Sequence, residues 1–320
     1  MKVLLTGASG AIGGELIPFL LQKGMNILGV SRKNLEIPEV NFKNLRLDLN
    51  KIVIKDSKII YKEDLRIESL LNDELENINC VVHLAGLASG EGKTREDYLL
   101  SNYENTVKLI KIAQLKKIST FIYSSSASVY GFKKNTICKE TDPTEGSSHY
   151  AISKIFAENA ILDSEIPNKI ILRVGSVFGK NLKSTINKLI NFQKKGLLPV
   201  PMKKNNYKSF IYIEDLILFM EKFIHYKGSG IFNICYPEAF EYGEIIKIIM
   251  KNSNYKSMKV YIPEFSYILE EYIRKIFFNH SDSKLKPLFQ SVIMDSTKLL
   301  NEFKIEPTIG MEEGIKKSMN

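Results

Sequence analysis

Three glycines follow one another at three-residue intervals near the start of the chain. They are Gly7, Gly10 and Gly13, and they lie between an apolar run that ends at Leu5 and a helical pattern. A strand, a glycine turn and a helix in this order are typical of folds that bind the pyrophosphate of a dinucleotide at the helix N-terminus. This feature restricts the chain to the α/β class and predicts a parallel βαβ unit at its start.

The remainder of the first half alternates short apolar runs with helical patterns. Such alternation predicts a doubly wound parallel sheet, the Rossmann arrangement, with helices on both faces. The predicted strands cover residues 2–5, 26–30, 58–61, 80–84, 120–124 and 169–174, and the predicted helices cover about 12–23, 97–115 and 150–162.

The pattern becomes irregular after Gly175, where Pro, Lys and Asn are denser. We therefore predict a dinucleotide-binding domain over residues 1–175 and a smaller C-terminal α/β substrate-binding region over 176–320. Segments near 210–215 and 230–235 are expected to return to the main body.

Composition sets the broad class. The 320 residues are 44% hydrophobic and 25% charged, as in a soluble globular protein, and the formal net charge is +9. The lysines form no dense run with interleaved aromatics, which argues against nucleic acid as a partner. A few of them could attract an anionic small substrate.

Cysteine usage and hydropathy suggest a compartment. Cys80, Cys138 and Cys235 are far apart and show no metal-ligand spacing, as expected for a reducing environment. No run reaches the roughly 20 apolar residues of a membrane span. We expect a cytoplasmic protein with no membrane insertion and no metal site.

Tyr150 and Lys154 stand four residues apart in a predicted helix, so both side chains lie on one face. An ammonium near a phenol lowers the cost of ionising that phenol, whose unperturbed pKa is about 10. A Ser-rich strand end, residues 123–131, precedes this pair. Together with the glycine turn, these residues predict hydride transfer between a nicotinamide and a carbinol carbon.

The end of the second predicted strand lacks the acid that would bind the adenosine ribose of NAD. Ser31 and Arg32 stand there instead. A hydroxyl and a guanidinium suit a 2′-phosphate, so NADP(H) is favoured. The alternative is an exposed basic loop that accepts either NADP(H) or NAD(H).

Two Asp-Leu pairs compete for the adenine edge of the cofactor site. Asp64, followed by Leu65, lies a plausible helix length before the fourth predicted strand. We therefore choose Asp64 and interpret Asp48 as a solvated loop acid.

The order of these motifs resembles the extended short-chain dehydrogenase/reductase family, in particular its nucleotide-sugar epimerases, dehydratases and ketoreductases. The resemblance covers nearly the whole chain. Besides the glycine turn and the Tyr150–Lys154 pair, the motifs that carry it are His83-Leu-Ala-Gly86, Asn102-Tyr-Glu-Asn-Thr106, Leu172-Arg-Val-Gly-Ser-Val-Phe-Gly179, Tyr207-Lys-Ser-Phe-Ile-Tyr-Ile-Glu-Asp215 and Asp295-Ser-Thr-Lys298.

The resemblance implies roles for individual residues. Ser126 would hydrogen-bond the reacting oxygen, Tyr150 would be the acid/base, and Lys154 would bind the nicotinamide ribose and tune Tyr150. The expected cofactor-binding residues are Gly7, Gly10, Ala11, Ile12, Gly13, Ser31, Arg32, Asp64, Leu65, Leu84, Ala85, Gly86, Asn102, Ser124, Tyr150 and Lys154. The expected substrate-binding residues are Ser89, Ser126, Ser176 and Lys208.

The chain departs from the family pattern at three places. Lys208 stands where relatives carry an Arg that binds the substrate pyrophosphate. A lysine keeps the positive charge but cannot make the bidentate hydrogen bonds of a guanidinium. Ser176 stands where many relatives have Asn. The family's dehydratases carry an acid and a base at positions held here by Ser126-Ala127-Ser128, so 4,6-dehydration is set aside.

Two hydride-transfer reactions then remain for a nucleoside-diphosphate sugar. Arg32 favours an NADPH-dependent 4-ketoreductase of a deoxy or deoxy-amino sugar nucleotide in polysaccharide biosynthesis. The alternative is a UDP-sugar 4-epimerase, of the UDP-glucose or UDP-N-acetylglucosamine type, that retains NAD. A second alternative, a non-catalytic NADP(H)-sensing regulator, has no physical need for the intact Ser126, Tyr150 and Lys154.

Two further expectations concern surfaces. By analogy with such enzymes, the helices around 97–115 and 150–162 could form a homodimer. The Tyr and Phe cluster at residues 265–278 is expected to pack the substrate region or an oligomer surface, with a membrane-facing role as the alternative.

Overall fold

The computed structural model describes residues 1–88, 93–132, 136–202, 205–278, 285 and 288–319, with the backbone alone at 65–66 and 274–278. The strands are β1 Lys2–Thr6, β2 Asn26–Ser31, β3 Phe42–Arg46, β4 Ile52–Lys55, β5 Lys58–Tyr61, β6 Cys80–His83, β7 Thr120–Ser126, β8 Ile137–Cys138, β9 Asn168–Val174, β10 Ser176–Phe178, β11 Leu197–Pro201, β12 Tyr207–Tyr212, β13 Gly230–Ile234, β14 Ala239–Glu241, β15 Met258–Ile262 and β16 Ile293–Met294.

The helices alternate with these strands in the first half of the chain. They are α1 Ala11–Gln22, α2 Leu65–Glu74, α3 Arg95–Tyr98, α4 Asn105–Leu115, α5 His149–Leu162, α6 Thr185–Lys194, α7 Ile213–His225, α8 Tyr242–Lys251, α9 Phe265–Phe278, α10 Thr297–Phe303 and α11 Met311–Met319. A π-helical segment, Leu99–Glu104, joins α3 to α4.

Seven parallel strands form the central sheet, in the order β13-β9-β7-β6-β1-β2-β3. Side chains of α1 and α7 pack on one face and those of α2, α4 and α5 on the other. This is the predicted doubly wound parallel sheet. The strand order reverses between β1 and β6, and in such sheets ligands bind beyond the carboxyl ends of the strands at that point.

The third strand of the sheet is not the predicted one. Phe42–Arg46 forms β3 and pairs with β2 at the sheet edge, where only Leu45 is buried and the sequence shows no apolar run. Residues 58–61 do form a strand, β5, but it pairs antiparallel with β4 in a separate hairpin. The apolar pattern of residues 58–61 therefore correctly predicted a strand, but that strand belongs to the separate hairpin and not to the central sheet.

The two returning segments have different places. β13 pairs with β9 and is the edge strand of the central sheet. β12 instead pairs with β10 and β14 in a three-stranded sheet, and residues 213–215 begin α7. The division at residue 175 into two domains stays a prediction.

The core contains the three cysteines as buried free thiols. Within the part of the chain that the structure describes, no helix is long and apolar enough to cross a membrane.

Candidate active site

The glycine turn lies where the sheet reverses direction. Gly7 follows β1 with a φ of +75°, and a Cβ there would lie 2.7 Å from the backbone nitrogen of Ala85. Only glycine allows both the positive φ and this close approach to the segment after β6. The turn also holds Gly10, whose N–H donates to the Gly7 carbonyl over 2.8 Å.

The N-terminus of α1 suits an anion. Gly10 is its N-cap, no described side chain caps it, and its first turn holds no acidic residue. The first N–H groups of a helix have no intrahelical partner and carry partial positive charge. Ala11 and Ile12 continue from the turn, with Ala11 exposed and Ile12 half-buried. These residues fit the pyrophosphate of a dinucleotide.

A groove extends from the glycine turn along the carboxyl ends of the strands. Its lining residues come from the ends of β1, β2, β3 and β6 and the loops that follow them, from the π segment and from the first residue of α4. They are Gly7, Ser9, Gly10, Val30, Ser31, Arg32, Leu47, Asp48, Leu49, Asn50, Leu84, Ala85, Gly86, Leu87, Ser101 and Asn105.

The structure corrects the choice between the two acids. Among the described residues, the groove lining includes Asp48 but not Asp64. Asp48 follows β3, the true third strand, whereas Asp64 is exposed just before α2 and beyond the separate hairpin. The choice of Asp64 failed because it counted β5 as the third strand of the sheet. The side chain of Leu65 lies outside the described residues.

The geometry near Arg32 does not support the preference for NADP(H). The Ser31 hydroxyl donates to the Lys33 carbonyl over 2.5 Å, so that donor is already used. Arg32 is exposed, and the Asp48 carboxylate lines the same groove. A carboxylate in the groove opposes the charge of a 2′-phosphate.

Ser126 and the Tyr150–Lys154 pair meet beyond the carboxyl end of β7. Ser126 is the last residue of β7 and pairs in register with Val174 of β9. Ser148 caps α5 by accepting from the Ala151 N–H over 3.1 Å, and this cap starts the helix that carries the pair. The Lys154 Nζ donates to the Ser124 carbonyl over 2.8 Å and lies 5.9 Å from the centroid of the Tyr150 ring.

Burial opposes the charged form of both side chains. It raises the pKa of Tyr150 to about 12, while a hydrogen bond with Ser126 acts in the opposite direction. Burial likewise lowers the pKa of Lys154 to about 8, while the Glu158 carboxylate raises it. Lys154 is therefore still mostly an ammonium at neutral pH. Tyr98 packs edge-on against Tyr150, with ring centroids 6.0 Å apart.

Asn102 supports the groove wall from behind. It is fully buried in the π-helical segment, accepts from the Leu87 N–H over 2.7 Å and donates to the Leu87 carbonyl over 3.2 Å. Its amide also donates to Ser153 over 3.0 Å. We predicted a cofactor contact for Asn102, but these contacts use the side chain to hold the Gly86–Leu87 segment.

A buried ion pair under the Ser-rich strand end was not predicted. The Arg173 guanidinium donates to both carboxylate oxygens of Glu158, at 2.8 to 3.2 Å, and the Ser125 hydroxyl donates to the same carboxylate. An arginine inside the apolar run of β9 was the signal available in the sequence, because a buried charge requires a partner.

Apart from Ser126 on β7, the predicted substrate residues lie on the three-stranded sheet or outside the described residues. Ser176 begins β10, two residues beyond Val174, so register brings it near Ser126. Lys208 lies on β12, is buried, and has its pKa lowered to about 8 by that burial. Ser89 lies outside the described residues.

The chain is similar to known proteins in both sequence and structure. A family model described as "NAD dependent epimerase/dehydratase family" matches residues 3–235. The UDP-glucose 4-epimerase uge1 of Schizosaccharomyces pombe is 34% identical over 178 residues, 52% of this chain and 48% of that protein. The ADP-L-glycero-D-manno-heptose-6-epimerase of Brachyspira hyodysenteriae is 27% identical over 274 residues, 81% of this chain and 82% of that protein.

Among solved structures, "MoeE5 in complex with UDP-glucuronic acid and NAD" superposes with a TM-score of 0.79 at 21% identity, over 100% of this chain and 98% of that one. This likeness shows a shared fold. The match spans about half the length of several of the curated relatives.

Proposed function

The chain belongs to the NAD dependent epimerase/dehydratase family, and on this premise we propose that it is a 4-epimerase of UDP-linked hexoses that retains NAD. The observation that carries the proposal is that Ser126, Tyr150 and Lys154 meet beyond the carboxyl end of β7, with the Lys154 ammonium next to Gly86 of the groove. The reaction needs one group that moves a proton on the sugar oxygen, and Tyr150 is suited to that task.

The residues of this chain act on the C4 hydroxyl. The Tyr150 oxygen takes the hydroxyl proton, the Lys154 ammonium favours the ionised phenol, and Ser126 donates a hydrogen bond to the oxygen as it becomes a ketone. The glycine turn and Lys154 would hold the nicotinamide cofactor, which would supply reversible hydride transfer at C4, with removal from one face of the sugar and return to the other. Tyr150 then gives the proton back, so there is no net oxidation.

Three features support epimerisation over the alternatives. The Arg32 argument for NADPH, and with it the 4-ketoreductase, loses force because the Ser31 hydroxyl is used internally and Asp48 lines the groove. Ala127 and Ser128 provide no acid and base for dehydration. Several relatives bear the name UDP-glucose 4-epimerase.

Substrate deuterated at C4 tests the proposal. We expect purified protein to interconvert UDP-glucose and UDP-galactose, with the label kept at C4 and no added cofactor consumed. The control is Tyr150→Phe, which should leave the substrate unchanged. Reduction of a 4-keto sugar nucleotide with stoichiometric loss of NADPH would show instead that the protein is a ketoreductase.

A further inference from the structure

The outward face of α9 is apolar along its described length. Its exposed side chains are Phe265, Ile268, Leu269, Tyr272 and Ile273, which are between 42% and 65% exposed. They follow the spacing i, i+3, i+4, i+7, i+8 and so form one continuous stripe. In a soluble domain this stripe normally faces the core.

Contacts on the other side of α9 set this orientation. The Tyr267 ring packs against Phe289, with centroids 5.4 Å apart. The Glu270 carboxylate accepts from the Leu285 N–H over 3.0 Å. The helix therefore turns a tyrosine and a carboxylate toward the protein and its apolar stripe away from it.

The stripe adjoins further exposed apolar side chains on the strand that leads into α9. Met258, Val260 and Tyr261 of β15 are 66%, 41% and 60% exposed, and Met202 beyond β11 is 61% exposed. Met202 and Tyr261 line the same surface depression. Successive residues of a strand point to opposite sides, so Val260 and Tyr261 do not share one surface. We call the five residues of α9, Phe265, Ile268, Leu269, Tyr272 and Ile273, the apolar face. Soluble monomers rarely expose a patch of this kind without an interaction partner.

We propose that the apolar face docks on an anionic lipid surface, a binding property that goes beyond the proposed activity. Phe and Tyr on one side of a helix are typical of helices that lie in a membrane interface. Since none of the described helices can span a bilayer, the contact is with the surface of the membrane.

The charge of the surrounding segments fits an anionic surface. Lys194 and Lys195 are exposed just before β11, the strand that pairs with β15, and no Asp or Glu occurs in the sequence between Glu165 and Glu214. Lys256 and Lys259 are exposed at β15. The acids of this region, Glu264, Glu270 and Glu271, are half-buried and have interaction partners. Basic residues near a bilayer are attracted to anionic lipid headgroups.

The same charge argues against a second copy of the chain as the occupant. A two-fold interface places the same patch of both copies face to face. The lysines near β15 would then meet those of the partner, in a protein whose net charge is already +9. Like charges held close together repel.

Vesicle sedimentation tests the proposal with the full chain. We expect the protein to bind vesicles of phosphatidylcholine mixed with phosphatidylglycerol, and to bind pure phosphatidylcholine vesicles much more weakly. The variant Ile268→Ser with Leu269→Ser should bind at least about tenfold more weakly. The matched control, Leu70→Ser with Leu115→Ser, removes two exposed leucines elsewhere and should bind as the unchanged protein does.

Three results would overturn the proposal. They are no binding to the anionic vesicles, equal loss of binding in the control variant, and a dimer in sedimentation velocity that the Ile268→Ser, Leu269→Ser variant abolishes while vesicle binding is unchanged. Circular dichroism of both variants checks that each is folded. Vesicle binding needs no turnover, so its failure is distinct from failure of the proposed epimerase activity.

Discussion

His83 at the carboxyl end of β6 and Ser125 near that of β7 are buried and hydrogen-bonded within the chain, whereas the apolar side chains on the outward face of α9 lie exposed. At the sheet, His83 is held between the Thr6 hydroxyl at 2.6 Å and the Thr106 hydroxyl at 2.9 Å, and burial lowers the pKa of its imidazole to about 3. That histidine is therefore neutral and is held by contacts within the chain.

The two regions differ in what explains their side chains. Burial without partners would be costly at the sheet, so its polar residues are explained by contacts within the chain. Among the described residues, no contact accounts for the exposure of the large apolar side chains along α9. If this is so, substitutions near the carboxyl ends of the central strands should impair activity or stability, whereas substitutions on the outward face of α9 should leave stability nearly unchanged.

The largest expected effect is on turnover when Tyr150 is replaced by Phe. Loss of the proton-carrying oxygen should lower kcat by about 10³-fold, while the ring still packs against Tyr98. The measurement is kcat for the proposed epimerisation, together with a titration of NAD binding, which should be little changed.

The control for that variant is Tyr103→Phe, whose ring packs against Phe156. It should turn over normally. Near-normal turnover in Tyr150→Phe would show that another group moves the proton.

Glu158→Gln should destabilise the fold. The buried Arg173 guanidinium would lose its carboxylate partner, and breaking a buried ion pair in this way costs about 3 kcal/mol. Urea denaturation measures the free energy of unfolding. The control is Glu312→Gln, which removes an exposed pair with Lys251 and should change stability little. An equal loss of unfolding free energy in the two variants would mean that the buried pair of Glu158 with Arg173 stabilises the fold no more than an exposed pair does.

Lys208→Met should change how stability depends on pH. Burial lowers the pKa of Lys208 from about 10.5 to about 8 in the folded chain, so between these pH values the unfolded chain binds more protons. The contribution of Lys208 to the free energy of unfolding therefore rises with pH in that window. The variant should be more stable than the unchanged protein at pH 7, and this advantage should shrink by about 2 kcal/mol by about pH 9.5.

The difference in the free energy of unfolding between Lys208→Met and the unchanged protein removes the contribution of every other titrating group, because those groups are the same in both. Lys259→Met, on the exposed strand β15, is the control and should show no such pH dependence. A constant stability difference between Lys208→Met and the unchanged protein across this range would contradict burial of a charged Lys208.

The smallest effect is expected on α9. Leu269→Ala should change the free energy of unfolding by less than about 0.5 kcal/mol, because that side chain is 53% exposed. The control Leu172→Ala, in the buried core of β9, should cost about 3 kcal/mol. A large loss of stability in Leu269→Ala would mean that α9 packs within the protein and would remove the contrast between the two regions.

Several features of the fold and site were predictable because local patterns determine them. The glycine turn requires a positive φ at Gly7, and a helix brings Tyr150 and Lys154 to one face whatever surrounds them. The apolar runs of β1, β6, β7 and β9 indicated buried parallel strands because both of their faces are covered.

Other features depended on contacts between distant parts of the chain. β3 is an edge strand with little burial, so no apolar run marked it, and the choice between Asp48 and Asp64 failed for that reason. The contacts of Asn102 and the pair of Glu158 with Arg173 join residues on different elements, and pairing of this kind has no local signal.

The class of fold and the placement of Tyr150 and Lys154 on one helix face could be predicted from the sequence, because each depends on spacing along the chain. The tertiary structure decided which acid lines the groove, which donors are already used and which way the stripe of α9 faces. Those outcomes depend on which element packs against which, and packing is settled only when the whole chain has folded.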